Sequence, residues 1–99
     1  MSIPQVLFNT LDIIPLVNLV ITSELIRAAR ALLRWEQRHL AEASSVSLPT
    51  IKRLEAKPGI LVAHSSTVAA LRGAFEAAGV EFTNGDQPGV RLRRVDRKR

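Results

Sequence analysis

From Thr22 onward, apolar residues recur every three to four positions in short runs separated by polar clusters, a pattern that predicts a series of helices. Thr22 or Ser23 can cap the first of these, and Glu24 suits its positive end. Leu25, Ala29, Leu32 and Leu33 then fall on one face, with Arg27, Arg30 and Arg34 among them. After a break at 34–36, a second short helix is expected from Gln37 to Ala43, with Leu40 and Ala41 inward. The cluster Ser44-Ser45-Val46-Ser47 separates it from a third helix. Ser47 is a good N-cap, Pro49 fits the first turn, and Ile51 and Leu54 supply a buried face up to about Lys57. Pro58-Gly59 ends that helix, and 60–65 reads as a loop. Ser65 or Ser66 is expected to cap a fourth helix with the stripe Val68, Leu71, Phe75 and Ala78, and Gly79 falls just past its end.

Beyond Gly79 the period changes to two. Val80 and Phe82 alternate with Glu81 and Thr83, and 84–89 turn the chain. Val90, Leu92 and Val95 then alternate with Arg91, Arg93 and Arg94, which predicts an antiparallel hairpin with one basic strand. The opposite end of the chain differs in kind. Between Met1 and Thr22, 13 of 22 residues are Met, Ile, Val, Leu or Phe, and Asp12 is the only charged side chain. Pro4 and Pro15, the polar Asn9, Thr10 and Asn18, and the lack of a preceding Lys or Arg argue against a membrane span or a secretory signal. An apolar arm packed on the domain or on a second copy is the expectation. The chain thus divides into an apolar extension at 1–19, a helical domain at 20–79, a hairpin at 80–95 and a basic tail at 96–99.

Composition sharpens this division. The 99 residues suit one small domain, and the absence of cysteine excludes disulfides, Cys-containing zinc sites and a thiol nucleophile. Fourteen Lys and Arg against nine Asp and Glu leave a net charge of +5. All of the excess lies in Val90–Arg99, where six basic residues face only Asp96, so the body is neutral. A polyanionic partner is therefore plausible, but the charge is a tail and not a basic domain. No acid/base pair, nucleophile–base set or metal cluster is visible, so neither an enzyme nor a cofactor is expected.

Two short helices joined by a tight turn, the second opening on small polar residues, form the general helix-turn-helix pattern. The particular residues extend this pattern. Ile21-Thr22-Ser23-Glu24-Leu25-Ile26-Arg27-Ala28-Ala29-Arg30-Ala31-Leu32-Leu33, Gln37, Leu40-Ala41-Glu42, Val46-Ser47 and Thr50-Ile51-Lys52-Arg53-Leu54-Glu55 resemble the Xre-type, phage-repressor-like helix-turn-helix regulators. Ser66–Leu71, Phe75–Phe82 and Pro88–Arg93 resemble small bacterial members of that group, so the likeness spans roughly residues 20–94. It implies a mainly α fold: a four-helix phage-repressor-like domain with a C-terminal β-hairpin and an apolar N-terminal arm.

The resemblance also implies roles. In such domains the second motif helix, here about 47–57, enters the major groove by its N-terminal end while the first crosses the backbone. Ser47, Leu48, Pro49, Thr50 and Arg53 would face the groove. Arg53 is the best base reader, because its fork fits guanine O6 and N7, and Leu48 suits a thymine methyl. Lys52, Lys57 and Thr50 suit phosphates, which position without reading. Gln37 would contact phosphate and buttress the recognition helix. Arg30 and Glu55 match positions that pair inside the domain and are expected to be structural. Arg27 and Arg34 are expected on a solvated face, His39 and His64 as exposed polar residues, and Trp35 as a lid on the core. Three positions depart from the pattern: Ser45 stands where Gly is usual in the turn, Glu36 replaces a Ser or Thr cap, and Arg34 replaces a Gly.

Two functions follow from these residues. The first is a sequence-specific transcriptional regulator that binds double-stranded DNA as a homodimer on an inverted-repeat operator, with dimer contacts from the hairpin and arm. The second is a protein–protein module of the same fold, an antiactivator or antitoxin that sequesters a regulator or toxin and binds DNA weakly or not at all. Either would work in the bacterial cytoplasm, the first at the nucleoid when bound to DNA, and neither involves a membrane. Val20-Ile21-Thr22-Ser23 lines up with where such proteins usually begin, and Val is an alternative bacterial start, so translation from position 20 is a further expectation.

Overall fold

A computed structural model of the chain describes residues 20–83 and 87–93. These residues form four helices, α1 (Ser23–Leu33), α2 (Gln37–Ser44), α3 (Leu48–Ala56) and α4 (Ser65–Ala77), followed by strands β1 (Val80–Thr83) and β2 (Gly89–Leu92). The expected arm at 1–19, the turn at 84–86, the strand end at Arg94 and Val95, and the tail at 96–99 lie outside the described residues. No helix of the described residues is long and apolar enough to cross a membrane.

Local chemistry accounts for most boundaries. Thr22 caps α1 by accepting a hydrogen bond from the Leu25 N–H at 3.1 Å, and Glu24 sits in the first turn. Arg34 ends the helix in the left-handed conformation, with φ of 58°. At α2 the cap is reciprocal in an unusual way: the Glu36 N–H donates to Nδ1 of His39 at 2.9 Å. Ser47 caps α3 by accepting from the Thr50 N–H, and Pro49 stands in the first turn, where a missing N–H costs nothing. The cap of α4 is a correction. His64, not Ser65 or Ser66, is the N-cap residue; it makes no side-chain cap bond, and Ser65 already has helical geometry. At the other end of α4, Gly79 takes φ of +104°, which a side chain resists and glycine adopts freely.

The helices enclose one core. Leu40, Ile51, Leu54, Leu71 and Phe75 are buried, and Phe75 stacks against Trp35 with ring centroids 5.7 Å apart. Trp35 therefore lies over the core as a lid. The stripe read for α1 is shifted by one residue. Ile26 and Ala29 are its buried members, Leu25 and Leu33 are half-buried, and Leu32 is 40% exposed. Positions 22, 26, 29 and 33 share the helix face that is buried or half-buried, and leucines on either flank make the other face look equally apolar.

Strands β1 and β2 pair antiparallel, with Val80 opposite Leu92 and Phe82 opposite Val90. Phe82 meets Phe75 edge-on at 5.9 Å, which anchors the hairpin to α4, and β2 also lies against α1. On the outer face Glu81 pairs with Arg91 at 2.8 Å and with Arg93 at 3.7 Å. The Arg91 guanidinium holds the Glu81 carboxyl below the usual carboxylate range. Two cations of the basic strand are thus already partnered. A second pairing ties the start of the domain to the loop after α3: Thr22 bridges Ile60, and the Leu61 N–H donates to the Ile21 carbonyl at 3.0 Å.

Candidate nucleic-acid interface

Helix α3 has two faces of opposite character. Ile51, Leu54 and Glu55 point inward and are buried, whereas Pro49, Lys52, Arg53 and Ala56 point outward and are exposed. This is the three-and-four spacing of one helical stripe on each side. The turn before it is short. Ser44 Oγ donates to the Leu40 carbonyl at 2.7 Å and accepts from the Val46 N–H, which folds the chain back on itself. Ser45 then takes φ of 63°, the left-handed value that a glycine would adopt without strain. Val46 and Ala41 are half-buried and pack against the core beside this turn.

What holds α3 in place is a buried carboxylate. Glu55 receives a two-pronged bond from Arg30, Nε to Oε2 at 2.8 Å and Nη2 to Oε1 at 2.7 Å. Gln37 Nε2 donates to the same Oε1 at 3.0 Å, and Arg27 Nη1 donates to the Glu55 backbone carbonyl at 2.9 Å. Arg30 also reaches the Trp35 carbonyl. The expected Arg30–Glu55 pair is present, with side chains only 19% and 5% exposed. It is the centre of a larger cluster that clamps α3 to α1 and to the start of α2. Arg27 is exposed, as expected, but it is also engaged: it pairs with Glu24 and bonds to α3. Its spacing of three from Arg30 places both on one side of α1, and that was the available signal. Gln37, expected to contact phosphate and to buttress the third helix, is tied to α3 by its bond to Glu55.

The remaining candidates come together on the outer surface. Ser47 and Thr50 lie at the N-terminal end of α3, and the Ser47 Oγ donates to the Thr50 Oγ1 at 2.8 Å. Leu48 is half-buried beside them, and Pro49 is exposed. Lys52 and Arg53 follow on the same outward stripe, and Lys57 is exposed at the C-terminal end. Among the described residues, none of Lys52, Arg53 and Lys57 has a carboxylate partner, whereas Arg38, Arg72 and Arg91 pair with Glu36, Glu76 and Glu81. Arg34 is exposed at the end of α1, as expected, and His39 and His64 are exposed as well. No protein-family model matches the chain, and no curated protein matches it either.

Proposed function

We propose that α2 and α3 form a helix-turn-helix unit of the Xre type and that the protein is a sequence-specific DNA-binding regulator. The observation that carries this reading is the contrast within α3. Its inner face is fixed through Glu55, while its outer face presents Ser47, Thr50, Lys52, Arg53 and Lys57 with the three cations free of carboxylates among the described residues. A helix so held meets the major groove as a rigid body, and rigid placement is what direct readout needs. In this reading Arg53 reads guanine, Leu48 meets a thymine methyl, and Lys52, Lys57 and Thr50 bind phosphates. Gln37 spends one amide N–H on Glu55 and has a second for phosphate. A homodimer on an inverted repeat completes the proposal, because such sites mirror a two-fold axis in the protein.

The alternative, a module that sequesters a protein partner, draws on a different observation. Val20, Ile60 and Val62 are exposed apolar residues outside the α3 surface stripe. Selection from a random duplex library with the purified protein separates the two readings. Enrichment of one motif, with affinity falling steeply as salt rises, is the expected result. Flat enrichment at low salt overturns DNA recognition. Arg53→Ala is expected to relax base preference at a single position, at a cost of about 1–3 kcal/mol in discrimination there.

A further inference from the structure

A groove of about 570 Å³ runs between the C-terminal half of α3 and the loop that follows it. Leu54, Ala56, Pro58 and Leu61 make its lining apolar, and Arg53 and Lys57 stand at its rim. Both cations are exposed, and neither has a carboxylate partner among the described residues. Ile60 and Val62, also lining the groove, are 65% and 75% exposed. Clustered apolar exposure of this kind marks a docking surface, and the cationic rim selects an apolar occupant that carries negative charge.

The chain contains such a segment and starts it beside the groove. The Thr22–Ile60 bridge and the bonds from Ser23 N–H to Gly59 and from Leu61 N–H to Ile21 pin 21–23 antiparallel to 59–61. That register sets Val20, itself 47% exposed, opposite Val62. Residues 1–19 precede Val20 and lie outside the described residues, but their sequence has the required chemistry. Asp12 is their only charged side chain, and Leu11, Ile13 and Ile14 flank it. Asp12 lies eight positions before Val20, a reach of up to about 26–29 Å, more than twice the width of a helix.

We propose that the chain's own N-terminal segment docks in this groove, with the apolar residues around Asp12 on the lining and the Asp12 carboxylate beside Arg53 and Lys57. The docking stands on the groove and the segment, not on DNA binding. Where the DNA reading holds as well, the segment and a duplex compete for Arg53, and the segment is autoinhibitory.

The absence of cysteine makes the contact directly measurable. In the full 99-residue protein, Leu11→Cys is combined with Ala56→Cys, and disulfide formation under glutathione disulfide is followed on non-reducing gels. The expected bond lies within one chain and forms at a rate independent of protein concentration. An Ile60→Glu background is expected to slow it at least about tenfold, equivalent to about 1.4 kcal/mol, because the new carboxylate removes apolar lining, repels Asp12 and competes with it for Arg53 and Lys57. Val62→Glu, at a still more exposed position, serves as the second variant if circular dichroism shows that Ile60→Glu alters the fold. Equal rates with and without the glutamate overturn the proposal and point to an occupant outside this chain. A disulfide that joins two chains also overturns it, in favour of a second copy.

Discussion

At Glu55, two separate segments of the chain meet one carboxylate. Arg30 and Gln37 bond the side chain and Arg27 bonds the main chain of the same residue, so α3 is held from α1 and from the start of α2 at once. Glu55→Ala leaves the Arg30 guanidinium, mostly buried, without its counter-charge, and is expected to lower unfolding stability by about 3–5 kcal/mol in denaturant titration. Arg30→Lys keeps the charge but loses the fork, so a substantial fraction of that loss should remain. Glu24 behaves differently because it is exposed. Hydrogen bonds from its own backbone N–H and from the Gly59 N–H hold its carboxyl below the usual carboxylate range. A carboxylate lowered on folding stabilises the protein above its unfolded value, and that contribution is lost as pH falls through the folded value. The expected outcome is that Glu24→Gln lowers the thermal midpoint at pH 7 and that the difference from the parent protein shrinks in acid.

Among the elements, the α2–α3 turn has the clearest local cost. Ser45 occupies a left-handed conformation in which its Cβ crowds the following carbonyl. Ser45→Gly is therefore expected to stabilise the protein by about 0.5–1 kcal/mol, less than the full relief because glycine also frees the unfolded chain. A thermal melt of the variant checks this, and a lower midpoint would mean that the Ser45 side chain makes a contribution of its own. Helix starts at Thr22 and Ser47 were legible because capping chemistry is local and acts within three residues. The start of α4 was not: two serines advertised a cap, yet the helix begins one residue earlier on His64, where no side-chain bond marks it. The inward face of α1 also differs by one position from its periodicity. Flanking leucines blur a stripe in one dimension, and only the neighbouring helix selects Ile26 over Leu32.

For the whole molecule, the distribution of charge matters more than its sum. Arg91 and Arg93 belong to the basic C-terminal run, but both are engaged by Glu81 on the hairpin. Residues 96–99 are outside the described part, and their sequence offers three cations against Asp96. If the protein binds DNA as proposed, deleting Asp96–Arg99 should weaken all sequences alike. It should also lower the salt dependence by about one power of salt concentration for each phosphate that the tail neutralises. A change in sequence preference on deletion would contradict this division between a reading helix and a gripping tail. The proposed N-terminal cover belongs to the same scale, since it joins an acidic residue in the apolar segment to cations of α3 that have no carboxylate partner among the described residues.

The sequence alone determined four helices followed by a hairpin, the caps of α1 and α3, and an Arg30–Glu55 pair, the last through resemblance. Periodicity, capping and turn residues act over a few positions and are readable in order. Tertiary structure decided what depends on packing between distant segments. It brought Arg27 and Gln37 to Glu55, chose the buried face of α1, joined Thr22 to Ile60, and opened the groove beside α3. The pairings among these have no local signal, because each is made between residues at least 18 positions apart and depends on how the helices pack.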